Sequence, residues 1–273
     1  MRIIVAGSRG FIGNAILLRI LKDTSITHVY AINRSSTPSD SSSDPSSPTT
    51  SAPVAHPHSK VTEIALNDEE FASWPQELID QLTKVGVKAC IWCIGGLPSA
   101  FPDLTAAYHA NVELALAAAS ALSRISLFSN GKMFSGAKKE KPFRFIYLSV
   151  AGAERDPNAR LWTQAQLRKM KGAAELALFD FQTTFEAENG AGPLEMFALR
   201  LGKVLAGGKT TANIVTEAAI TSINVERVAK VCCDIAADGW YGEDGTKQVG
   251  GVVENRDVLG PDWADVDKYP IPL

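Results

Sequence analysis

The stretch Met1-Arg2-Ile3-Ile4-Val5-Ala6-Gly7-Ser8-Arg9-Gly10-Phe11-Ile12-Gly13-Asn14 decides the fold. Arg2 to Ala6 is short, mostly apolar and rich in β-branched residues, the composition of a strand buried on both faces of a parallel sheet. Gly7, Gly10 and Gly13 follow at three-residue spacing, and Phe11, Ile12, Ala15, Ile16, Leu18, Ile20 and Leu21 then give an apolar face at helical period. The order is strand, glycine turn, helix. Gly7 lets the chain turn sharply off the strand. Gly10 removes a Cβ so that backbone can approach a pyrophosphate, and Gly13 lets helix and strand pack closely. The helix start offers free N–H groups and a positive dipole end to an anion. A glycine triplet has meaning only in this strand-to-helix context, and here the context is present.

The Gly-x-x-Gly-x-x-Gly spacing resembles the extended and atypical branches of the short-chain dehydrogenase/reductase (SDR) family. The resemblance implies a dinucleotide held by Gly7, Ser8, Arg9, Gly10, Phe11, Ile12 and Gly13. It runs from Arg2 to about Val253, interrupted mainly by a Ser/Pro-rich insertion.

Strands and helices alternate along the chain, so the predicted fold is α/β, a Rossmann-like doubly wound parallel sheet with a small C-terminal substrate lobe. At 273 residues the chain suits a single NAD(P)-binding domain, residues 1–273, with roughly residues 203–273 contributing the lobe. The net charge of −3 and the lack of a basic stripe argue against nucleic acid. No apolar run reaches membrane-spanning length, and the start of the chain reads directly into a strand with no secretory signal, so a cytoplasmic protein is the reading, with a mitochondrial one left open. Cys90 and Cys93 have the spacing of a redox pair, but on a strand positions three apart face opposite ways. Cys232 and Cys233 read as core residues of a helix. No metal site is predicted.

The second strand, Thr27 to Ile32, ends in Asn33-Arg34. Twenty residues after Gly13 an acid would grip the ribose 2′-hydroxyl of NAD. This chain instead has Asn33 and Arg34, with Arg9 as a second cation, and guanidinium groups suit a 2′-phosphate. NADP(H) is therefore preferred over NAD(H). Residues 35–59, dominated by Ser, Pro and Thr, read as a disordered insertion. Lys60 to Leu66 is the third strand, followed by Asn67-Asp68 where this fold flanks an adenine. Glu69 to Val85 is a helix interrupted near Pro75. Lys88 to Ile94 is the fourth strand, and the step Cys93-Ile94-Gly95-Gly96 resembles the family's turn beneath the cofactor ribose.

Asp103 to Leu127 is a long helix carrying Asn111, which resembles an SDR asparagine that supports the active site through backbone. Phe143 to Val150 is the fifth strand, ending in Ser149-Val-Ala-Gly152, similar to the family's Ser-x-x-Gly step. The resemblance makes Ser149 a donor to a substrate carbonyl. Asn158 to Glu188 is the next helical region. Lys171-Gly172-Ala173-Ala174-Glu175 resembles the stretch that begins at the family's active-site lysine, which holds the nicotinamide ribose and lowers the pKa of a tyrosine four residues earlier. Here that position is Leu167, and no tyrosine lies between Gly152 and Lys171. Tyr147 and Tyr108 are read as packing residues. Leu194 to Leu199 is the sixth strand. Arg200-Leu201-Gly202 resembles the family's Arg-Pro-Gly turn near the carboxamide, with Leu for Pro. Lys247 to Val253 is read as the last strand, preceded by a helix from Glu226 to Ala237, and Lys132, Lys138, Lys139 and Lys141 as an exposed connection.

The leading reading is an NADP(H)-dependent oxidoreductase on a small carbonyl or alcohol, with Ser149 and Lys171 as catalytic residues. Water or a substrate hydroxyl would replace the tyrosine as proton source. The alternatives are a cofactor-binding sensor or assembly factor without hydride chemistry, and an isomerase or cyclase. The partner is a small-molecule substrate, and a homodimer is compatible with the sequence.

Overall fold

A computed structural model describes residues 1–35, 54–55, 58–129, 141–190, 193–206, 222–242 and 245–259. Its first half runs β1 (Arg2–Ala6), α1 (Phe11–Lys22), β2 (His28–Arg34), β3 (Val54–Ala55), β4 (Val61–Leu66), α2 (Asp68–Ala72), α3 (Gln76–Lys84) and β5 (Val87–Trp92). A second half follows with α4 (Leu104–Tyr108), a π-helical turn (His109–Glu113), α5 (Leu114–Ser129), β6 (Phe143–Val150), α6 (Ala165–Asn189) and β7 (Leu194–Leu201). The last described part is β8 (Lys203–Leu205), β9 (Ser222–Asn224), α7 (Val225–Asp238), β10 (Trp240–Tyr241), β11 (Lys247–Gln248), β12 (Gly251–Glu254) and α8 (Asn255–Leu259).

The main sheet has the order β12-β7-β6-β5-β1-β2-β4-β3. All its pairings are parallel except that of β3, which lies antiparallel on β4. β1 sits between β2 and β5, with Ile4 opposite Tyr30 on one side and Cys90 on the other. From β1 the chain winds outward through β2 and β4. It then returns across β1 and winds the other way through β5, β6 and β7. This is the Rossmann-like doubly wound fold, and its switch point lies at the C-terminal ends of β1 and β5.

Strand parity sorts the core into two layers. Ile4, Ala6, Cys90, Trp92, Phe145, Tyr147, Met196 and Ala198 pack beneath α2, α3, α5 and α6. Ile3, Val5, Ala89, Ile91, Ile146, Leu148, Phe197 and Leu199 pack with residues of α1 and α7. Because both faces are covered, the central strands read as unbroken apolar runs. At the N-terminal edge of β6 and β7, Arg144 (2 % exposed) donates from Nε to Glu195 Oε2 at 2.8 Å and from Nη1 to the carbonyls of Ala236 and Ala237 at 3.1 and 3.0 Å. That pair fastens the end of α7 to the sheet.

Several sequence expectations need correction. α6 begins at Ala165, so Asn158 to Gln164 is not helical, and Gln164 takes the left-handed φ of 48° just before the helix. The predicted last strand, Lys247 to Val253, is two strands: β11 pairs antiparallel with β10, and β12 pairs parallel with β7. The long helix from Asp103 is broken by the π turn. Val54 and Ala55, inside the predicted coil, form the edge strand β3. The rest of that insertion except its two ends, the lysines at 132, 138 and 139, and much of the proposed C-terminal lobe lie outside the described residues. Tyr108 is 41 % exposed rather than packed. The four cysteines are free, and Cys90 and Cys93 belong to opposite core layers. No helix among the described residues is long and apolar enough to cross a membrane.

Candidate functional site

The glycine turn closes on the switch point. Gly7, with φ of +82°, donates its N–H to Ile32 O at 2.8 Å, and the adjoining Cys93 donates to Ala6 O at 2.9 Å. A Cβ on Gly13 would lie 2.1 Å from Gly7 O, and one on Gly7 would lie 3.1 Å from both Cys93 C and Ile94 Cγ1. The turn thus tolerates no side chain at either position. Helix α1 begins after Gly10 with no side-chain cap and no acid in its first turn. Its first amides are therefore left for an outside anion, which fits a dinucleotide pyrophosphate. Phe11 is 55 % exposed at the mouth, and Ile12 packs on the layer beneath.

At the end of β2 the side chains form a small polar knot. Asn33 (3 % exposed) and Ser8 (also 3 %) exchange hydrogen bonds, and Asn33 Oδ1 also accepts from the Arg9 amide at 3.2 Å. Asn33 thus holds the glycine loop rather than standing free to grip a ribose. Arg9 pairs with Glu63 at 3.2 Å and Arg34 with Asp68 at 3.1 Å, both on the surface. Asn67 caps α2 through a reciprocal capping box with Glu70.

On the other side of the switch point, three residues converge. Gly95 has φ of +132°, and a Cβ there would lie 2.6 Å from Asn111 Oδ1 and 3.2 Å from Lys171 Nζ. Asn111, fully buried in the π turn, accepts from Gly96 N at 3.1 Å and donates to Gly96 O at 3.2 Å and Ala107 O at 2.8 Å. Its own carbonyl accepts from Tyr147 Oη at 2.9 Å. Asn111 therefore fixes the turn after β5 and the strand β6 together. Lys171, 7 % exposed, donates to Leu148 O at 3.0 Å, and its Nζ lies 4.7 Å from the centroid of the Tyr147 ring. Burial pushes its ammonium down to about 8, against smaller upward effects of Cys93 and Glu175. Leu167, where the family's tyrosine would stand, is buried.

Ser149, expected to face a substrate carbonyl, is turned toward α6. Its Oγ–H donates to Glu175 Oε1 at 2.6 Å. Glu175, fully buried, also takes Arg200 Nε at 2.9 Å and Nη2 at 2.7 Å, and Arg155 Nε at 3.1 Å. Arg200 reaches on to Glu254 at 3.1 Å, and Glu175 raises its pKa above the ordinary value, chiefly by hydrogen bonding. The Ser149 proton expected for a substrate carbonyl is thus committed to a carboxylate. Leu201 is buried in β7, and the Gly202 amide donates to Asn255 Oδ1 at 2.8 Å. Sequence reading did not single out Glu175 as a site residue. Its signal was a carboxylate one helical turn from Lys171 on a face that must be buried. Among the described residues no cluster of His, Cys, Asp or Glu could hold a metal ion.

The fold and this crevice define a dinucleotide-binding α/β protein of the SDR type. The model for the "NAD dependent epimerase/dehydratase family" matches residues 3–232, and the chain belongs to that family. Solved structures agree on the fold. The carbonyl reductase Sniffer of D. melanogaster superposes with a TM-score of 0.61 at 13 % identity, covering 93 % of this chain and 96 % of that one. An oxidoreductase of the short-chain dehydrogenase/reductase family from Burkholderia thailandensis gives 0.55 at 13 %, covering 97 % and 96 %. The Thermus thermophilus UDP-glucose 4-epimerase in complex with NAD gives 0.52 at 14 %, covering 99 % and 85 %. Comparison with curated proteins returns no matching sequence.

Proposed function

We propose that the chain is an NADP(H)-dependent oxidoreductase acting on a small carbonyl or alcohol. The observation that carries this is the convergence of Gly95, Asn111 and Lys171 at one side of the switch point, with the uncapped start of α1 at the other. Gly7, Gly10 and Gly13 would cradle the pyrophosphate, and Gly95, Asn111 and Lys171 would underlie the ribose next to the nicotinamide. The bound dinucleotide supplies or accepts hydride. The protein's part is to orient it, exclude water and manage the proton.

The preference for NADP(H) rests on Arg9 and Arg34. Each already has an acidic partner, but exposed ion pairs are worth only ~0.2–1 kcal/mol. A 2′-phosphate carries more charge than one carboxylate and offers three acceptor oxygens, so it can displace Glu63 and Asp68. A second reading, a binder without hydride chemistry, is favoured by the commitment of Ser149 to Glu175 and by Leu167 in the tyrosine position.

The test is thermal unfolding of the purified chain with NADPH or NADH, followed by absorbance at the nicotinamide band with a panel of aldehydes and ketones. Protection by NADPH above NADH, lost in Arg34→Ala, supports the cofactor reading. Protection with no turnover on any carbonyl moves the assignment to the binder. No protection by either nucleotide ends both readings.

A further inference from the structure

An ammonium has three N–H donors. In Lys171 one goes to Leu148 O, and the cation rests over the face of Tyr147. No other hydrogen bond or ion pair of Nζ is formed among the described residues. A buried N–H is therefore left over beside Gly95, where a Cβ would lie 3.2 Å from Nζ. Every other proton carrier nearby is committed. Tyr147 Oη–H is spent on Asn111 O, and burial pushes its pKa far up. Ser149 is spent on Glu175, whose two carboxylate oxygens are already taken by Ser149, Arg155 and Arg200. Burial pushes the Cys93 thiol up to about 12.

We infer that Lys171 itself gives and takes the proton on the substrate oxygen, in the place of the missing tyrosine. This rests on the oxidoreductase reading above. In the reducing direction, the carbonyl carbon gains the hydride that a reduced nicotinamide supplies, and the C=O π pair moves onto oxygen. That oxygen takes a proton from Nζ, and the neutral amine is recharged from water. In the oxidising direction the neutral amine takes the hydroxyl proton as hydride leaves carbon. A buried amine near 8 holds both forms in the working range. The titratable groups that face it are Cys93 from the turn after β5, Tyr147 from β6 and Glu175 from its own helix, with Arg155 and Arg200 behind Glu175.

The decisive experiment measures proton uptake on binding NADPH to the full chain, using a pH indicator in weak buffer from pH 7 to 10. An anionic dinucleotide beside Lys171 raises its proton affinity. Uptake should peak between about pH 8 and 9.5, and vanish in Lys171→Met and Lys171→Arg while NADPH still quenches tryptophan fluorescence. Lys171→Arg keeps the charge but cannot release a proton, so the turnover number for phenanthrenequinone at saturating NADPH should fall at least 100-fold, whatever the change in NADPH affinity. Uptake that persists unchanged in Lys171→Arg, or wild-type binding with no uptake in that range, overturns the inference. The wild-type pH profile decides even if both variants fail to fold. Absence of NADPH binding instead defeats the oxidoreductase reading on which the inference stands.

Discussion

A methyl group at position 13 would have nowhere to go, because the nearest atom is the Gly7 carbonyl at 2.1 Å and backbone cannot swing aside. Position 10 is different: its φ is −73°, and a Cβ would meet Gly7 O at 3.3 Å. Gly13→Ala should therefore destabilise the fold by ~1–3 kcal/mol and abolish nucleotide protection. Gly10→Ala should keep the melting temperature within a few degrees and lose binding alone. Thermal unfolding with and without NADPH separates them, and equal behaviour of the two would contradict separate roles. At Lys171 the sign of the pH effect follows from a folded pKa of about 8 against an ordinary 10.5. Below pH 8 both folded and unfolded chains carry the proton, and the buried charge costs its full amount. Between 8 and 10.5 the unfolded chain holds more protons, so stability rises with pH. Lys171→Met should be more stable than wild type at pH 7 by on the order of 3 kcal/mol, with the gap closing by pH 10.5. Denaturant unfolding at both pH values reads this directly. Single residues also mark where sequence reading ran short. Lys171 and Asn111 were legible from short motifs, whereas the hydroxyl of Ser149 turned to Glu175 because Arg155 and Arg200 come from distant segments to hold that carboxylate.

Among the elements, the π-helical turn has the largest effect on the site. It places an extra residue between α4 and α5 and brings Asn111 to bear on Gly96. Nothing in the local sequence announced it, since apolar residues on either side of Asn111 keep a helical period and the change of hydrogen-bond pattern is tertiary. Asn111→Leu leaves the Gly96 amide and carbonyl without their partner. An unsatisfied buried group costs about 1–3 kcal/mol, so a loss of ~2–4 kcal/mol is expected together with weaker NADPH binding. Urea unfolding and fluorescence titration would check the pair, and stability lost without any change in binding would deny the turn its positioning role. The start of α6 was misjudged for a related reason. The sequence reading starts the helix at Asn158, but Gln164 adopts a left-handed backbone and the helix can start only after it. By contrast β1, β5, β6 and β7 were legible to within two residues. Their apolar runs are buried on both faces and end at glycines or charges.

Across the whole molecule the sheet separates fastening from function. The C-terminal strand ends carry the crevice, and the opposite end carries the Arg144–Glu195 pair with its grip on the last carbonyls of α7. Arg144→Ala strands a carboxylate that is 4 % exposed, which costs ~3–5 kcal/mol, though Lys247 at 3.5 Å offers some compensation. Expected is a loss near the lower end of that range with NADPH affinity unchanged. A parallel loss of affinity would show that the two ends are coupled. The alternating layers were legible from sequence because strand parity alone sorts the core, as Ile4 and Ile3 illustrate. The fate of the C-terminal segment was not, because β12 joins the sheet beside β7 after an intervening hairpin.

The tryptophans offer a last consequence. Trp92 is sealed in the core one residue before Cys93, stacked on Phe145 with ring centroids 6.1 Å apart. Trp162, in the connection leading to α6, is 99 % exposed. Trp92 therefore emits from an oily setting and Trp162 from water, so once the other three of the five tryptophans are replaced by Phe, the blue and red edges of the same spectrum report separately on the seat and on the rim. A dye-free recording could tell a nucleotide settling in from a loop folding over it.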